Sequence, residues 1–117
     1  MNVAELSASL LRELKRRKYF LHMELLEQTL SLIKVRLYIS PELFVQIYRN
    51  DRYDTTNMLL VHGGQRLYGR DQIGGVWHRH AHIAPNVHDF SAEGQRVVGL
   101  NEFLNEVERV MAELNLP

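Results

Sequence analysis

Residues 32–50 read LIKVRLYISPELFVQIYRN, and this stretch decides the fold. Ile33, Val35, Leu37 and Ile39 alternate with Lys34, Arg36 and Tyr38. A period of two puts the apolar side chains on one face of an extended strand and the polar ones on the other. Ser40-Pro41-Glu42 turns the chain, the proline ring presetting its backbone angle. Leu43, Val45 and Ile47 resume the alternation, with Gln46 and Arg49 expected on the polar side. Runs joined so briefly pair as an antiparallel hairpin, because a parallel pair needs a crossover of about a dozen residues.

Working outward, residues 50–57 (NDRYDTTN) read as a polar loop and residues 58–62 (MLLVH) as a short buried strand. Gly63-Gly64 permits the positive backbone angles of a two-residue hairpin turn, and QRLYGRD (65–71) returns. Gly74-Gly75 marks the next turn, and VWHRHAHI (76–83) reads as a further strand. Residues 84–95 show no regular pattern, and residues 96–98 (RVV) are expected as a short edge strand. Leu100, Phe103, Leu104, Val107, Met111 and Leu114 then form one apolar stripe at helical spacing, with Gly99 as an acceptable cap. At the other end, residues 2–17 read as an amphipathic helix with Val3, Leu6, Leu10, Leu11 and Leu14 on one face. Asn2 and Glu5 resemble a capping box. A break is placed near Lys18, where the positive run stops and bulky residues begin. The expected fold is α+β: an antiparallel meander of about five to six strands with an N-terminal and a C-terminal helix packed on it.

A chain of 117 residues, 45% hydrophobic and 24% charged, reads as one soluble globular domain, 1–117. Net charge is zero, so overall charge gives no argument for a nucleic-acid partner. The distribution is uneven: residues 12–18 (RELKRRK) are basic, while the tail from Glu93 is acidic. The basic run is expected as a solvated helix end, suited to the negative end of the helix dipole. No cysteine is present, which excludes disulfides, thiolate catalysis and cysteine zinc sites. No apolar run reaches the roughly 18–20 residues of a membrane span, and no signal-peptide pattern appears, so a cytoplasmic location is expected.

The chemistry concentrates in GVWHRHAHIAPNVHD, residues 75–89. On a strand, His78, His80 and His82 form a stripe with same-face neighbours about 6–7 Å apart. Neighbouring imidazoles can share one zinc-like or manganese-like ion. A further ligand is then needed from His88, Asp89, Asp71 or His62. Alternatively, histidine acts as acid or base near neutrality. Metal-independent RNA cleavage needs a base, an acid and a cation for the charged transition state. Arg49, Arg52, Arg66, Arg70 and Arg79 lie in the same half of the chain, interleaved with Tyr48, Tyr53, Tyr68 and Trp77. That mixture suits single-stranded RNA, with arginine on phosphate and aromatic faces on bases. Taken singly, the arginines equally suit a solvated face and the tyrosines a packed sheet.

The order of motifs is distinctive. Arg70-Asp71 follows an aromatic-bearing strand, then come Trp77–His80 (WHRH), Pro85, His88 and an amphipathic acidic helix. Over roughly residues 20–112 this resembles the TumE-type family of small toxins from toxin–antitoxin pairs. The resemblance implies a growth-inhibiting protein held in check by a cognate antitoxin with a helix-turn-helix DNA-binding domain. Arg70, Asp71, Trp77, His78, His80 and His88 match the pattern. The family often has proline after the second block histidine; here Ala81 and His82 follow, which sets His82 apart.

Three readings stay open. In the first, a toxin-like ribonuclease uses His78, His80, His88 and Asp71 for catalysis and Arg49, Arg52, Arg66, Arg70 and Trp77 to hold RNA. Ribonuclease activity rests on analogy with other small toxins. In the second, His78, His80, His82 and His88 ligate a divalent metal such as zinc. In the third, the chain is a non-enzymatic module that forms a homo-oligomer through its sheet edges or helices.

Overall fold

The computed structural model describes residues 1–117. Its elements are α1 (Val3–Arg16), β1 (His22–Gln28), β2 (Leu32–Ser40), β3 (Leu43–Asn50), β4 (Thr55–His62), β5 (Gln65–Ile73), β6 (Val76–His80) and α2 (Leu100–Glu113). The six strands form one sheet in chain order, and every neighbouring pair is antiparallel. The α+β meander with a helix at each end is therefore the observed architecture.

The hairpin parity of residues 32–50 builds the core. Val35, Leu37, Val45 and Ile47 are fully buried, joined by Met58 and Leu60 from β4. Leu6 and Leu10 of α1, with Phe103, Leu104 and Val107 of α2, pack onto that same face. Each such side chain contributes about 1.5–3 kcal/mol by leaving water. α1 starts where Asn2 accepts the Glu5 N–H at 2.8 Å. Both two-glycine turns have positive φ at each glycine (58° and 78°; 56° and 84°), the mirror-image turn that matches strand twist.

Several details differ from the expectations. β1 forms from residues 22–28, a segment with no period-two signal, and it is exposed along nearly its whole length. β4 starts at Thr55, inside the expected polar loop. β6 stops at His80 rather than Ile83. Residues 96–98 make no strand; Val98 instead fills the core. The basic run is not wholly solvated: Arg17 is buried, and its guanidinium binds Glu13 (2.7 Å), Asn105 (3.0 Å) and Glu108. It thereby fastens the end of α1 to α2.

Candidate functional site

The helices cover one face of the sheet, and the histidine cluster lies on the other. Cross-strand partners share a face, so the register defines rows of side chains across the sheet. One row runs Lys34, Tyr48, Asn57, Asp71, His78, one residue on each strand from β2 to β6. The next runs Arg36, Gln46, Leu59, Gly69, His80. His78 and His80 are thus same-face neighbours on β6, with Asp71 beside His78.

After β6 the chain turns and comes back along its edge. Arg79 N–H donates to the Asp89 carbonyl at 3.1 Å, and Asp89 N–H donates to the Arg79 carbonyl at 2.8 Å. Hydrogen bonds from Ser91, then from the Arg79 guanidinium, hold the Asp89 carboxyl down at about 2. This returning segment, tied by a single bridge, hangs His88 beside the β6 histidines. The His88 ring centroid lies 4.8 Å from that of His78 and 4.7 Å from that of His80, edge to face in both cases.

The donor atoms converge. His78 Nε2 and His80 Nε2 are 3.2 Å apart. Asp71 Oδ2 lies 3.4 Å from the first and 3.3 Å from the second. His80 Nδ1 is 2.9 Å from the Pro85 carbonyl oxygen. A carbonyl only accepts, so Nδ1 carries the proton and Nε2 presents a lone pair. His78, His80 and Asp71 are buried, whereas His88 is exposed. Burial pushes the His78 pKa below its ordinary value; Asp71 opposes this, while His88 and Arg66 add to it. Burial also lowers His80, followed by the positive charge of Arg66, against the pull of the Pro85 carbonyl and Asp71. Both shifts favour the neutral imidazole, the form that ligates metals or accepts protons.

The donor triangle has a size that can be checked. An ion with bonds of roughly 2.0–2.1 Å and tetrahedral geometry has ligand atoms about 3.3 Å apart. The three observed edges, 3.2–3.4 Å, match that spacing. His88 offers a further nitrogen, with the donor atoms of the three histidines all within 4.8 Å of one another.

Other expected site residues lie elsewhere. His82 is past the end of β6, and its Nε2 meets Glu113 at 2.8 Å rather than the cluster. His62 ends β4 opposite Leu43 and Gln65, away from Asp71. Arg70 adjoins Asp71 in sequence and so points to the opposite face. There it is fully buried, donating from Nε and Nη2 to Glu106 at 3.0 Å each and from Nη2 to Glu93 at 2.9 Å. Arg49 shares the parity of Val45 and Ile47, so it is buried instead of lying on the polar side; it pairs with Asp51 and Asp54. Trp77 is 4% exposed and belongs to the core, leaving no face for a base. Arg52 is exposed in the β3–β4 turn.

Of the expected RNA-holding residues, Arg66 is the one whose positive charge acts on both buried imidazoles. Lys34, Gln46 and Asn57 share the outer face and were not singled out by the sequence; strand parity carries their signal once the register is known. No family model matches this chain, and no curated protein or solved structure matches it. No helix is long and apolar enough to cross a membrane.

Proposed function

We propose that this chain is a toxin-like enzyme acting on RNA, and that its centre is a divalent-cation site formed by Asp71, His78 and His80. The observation that carries the metal reading is the triangle of three donor atoms, 3.2–3.4 Å on each side. A separate acid and base must straddle a phosphate, and two nitrogens 3.2 Å apart leave no room for one. A cation held there would polarise a phosphoryl oxygen and lower the pKa of bound water. The chain's own groups have distinct tasks. Asp71 would supply anionic charge, the Pro85 carbonyl orients His80, and exposed His88 would move a proton at the leaving oxygen. Arg66 offers positive charge to a phosphate.

The toxin class rests on the motif resemblance, with a cognate helix-turn-helix antitoxin as partner and the cytoplasm as location. RNA as substrate rests on that class and on the cations and aromatics of the outer face. Metal-free acid–base cleavage has one feature in its favour: burial favours the neutral form of both imidazoles, which can accept protons.

Inducible expression tests the functional reading. The wild-type chain should arrest growth and fragment cellular RNA, while Asp71→Asn and His80→Ala should do neither. Equal arrest by all three chains would remove the centre from the activity. A wild-type chain that is folded, harmless and inert towards RNA would favour the interaction module instead.

A further inference from the structure

We infer that the outer face of the sheet is a track for single-stranded nucleic acid, with Lys34 and Arg66 on its phosphates and Tyr48 under a base. This deepens the proposed function by naming the form of the substrate and the residues that deliver it. On the same face, reached through the Asn57–Asp71 pairing, lies a hollow of about 350 Å³ lined by Lys34, Gln46, Tyr48, Asn57, Leu59 and Arg66. Its lining holds two cations and no carboxylate. Five arginines, Arg17, Arg49, Arg70, Arg79 and Arg96, each meet at least one carboxylate within 3.0 Å. Lys34 and Arg66 have no such partner, so their charge is available to a ligand.

The row Lys34–Tyr48–Asn57–Asp71–His78 leads from this hollow into the centre, one strand at a time. Strand spacing puts Lys34 about 14 Å from Asp71, a span for a short run of nucleotides rather than a single small ion. Tyr48 is half-buried, and its hydroxyl accepts a hydrogen bond from Asn50 Nδ2 at 3.2 Å, which steadies the ring for stacking. The amide of Asn57 sits between tyrosine and aspartate, able to pair with a base edge. Stacking on a sheet face requires unpaired bases, so the track selects a single strand over a duplex.

Binding can be tested without catalysis. Fluorescence anisotropy in EDTA would follow a labelled RNA of about eight uridines, a DNA of matching length, and a duplex. Lys34→Glu, Arg66→Ala and Tyr48→Ala should each weaken single-strand binding about tenfold, and each lost cation should lower the salt slope by about one. Lys15→Ala, on α1, should bind as the wild type does. The RNA and DNA arms decide which strand the track takes. Should Arg66→Ala unfold by circular dichroism, the other two variants still decide. Undiminished binding by Lys34→Glu and Tyr48→Ala, equal binding of the duplex, or no binding at all overturns the track. Binding with no cleavage would overturn the proposed reaction alone; cleavage that ignores Lys34 and Tyr48 would overturn the track alone.

Discussion

Asp71 and Arg70 show how a single peptide step assigns opposite tasks. Asp71 brings Oδ2 within 3.4 Å of both buried imidazole nitrogens on the outer face. Arg70 is sealed on the inner face, where it and Tyr68 share the Glu106 carboxylate. Burial and that carboxylate push the Tyr68 hydroxyl up to about 12. If His80 ligates the cation as proposed, His80→Ala abolishes metal-dependent RNA cleavage with little change in folding by circular dichroism. Glu106→Gln should do the reverse, because it removes the buried carboxylate and leaves the guanidinium only the half-exposed Glu93: a loss of about 3 kcal/mol in urea unfolding. A loss under about 1 kcal/mol would mean that the pair behaves as a surface ion pair. Glu93 gives the pH dependence. Hydrogen bonds from Arg96, then Arg70, hold its carboxyl at about 2 against an ordinary 4.5. Its stabilising contribution is thus present above 4.5 and disappears as pH falls towards 2. The stability gap between wild type and Glu93→Gln, measured by thermal unfolding, should close over that window; a constant gap would contradict it.

Among the elements, legibility followed periodicity. β2 and β3 alternate cleanly and each buries one face, so the hairpin was readable from residues 32–50. β1 was not readable, because HMELLEQ is exposed on both faces and made of good helix formers; its pairing with β2 is what makes it extended. The end of β6 was equally silent. His82 continues the alternation in sequence, yet the turn towards Pro85 removes it from the sheet and gives it to Glu113. The return segment that carries His88 depends on Gly94. A Cβ there would lie 2.0 Å from the Asp89 carbonyl oxygen, a backbone atom with no flexible end to yield. Gly94→Ala should therefore displace the 89–94 turn, cost about 1–3 kcal/mol and lower cleavage with it. Wild-type melting and cleavage in that variant would show that the turn does not position His88.

Across the whole molecule, the two helices close one side of a six-stranded sheet and leave the other open. The histidine cluster could be located from its spacing in the sequence, but not which residues face it. Facing depends on register, and register sent Arg49, Arg70 and Trp77 inward while bringing Lys34, Tyr48, Asn57 and Arg66 to the outer face. The proposed centre requires the three donors to belong to one cation. Elemental analysis of protein purified without an affinity tag tests this most directly. The wild type and His82→Ala should retain about one equivalent of a divalent metal, and Asp71→Ala and His80→Ala should lose it. Metal-free wild type, or metal undiminished in Asp71→Ala and His80→Ala, would contradict the account.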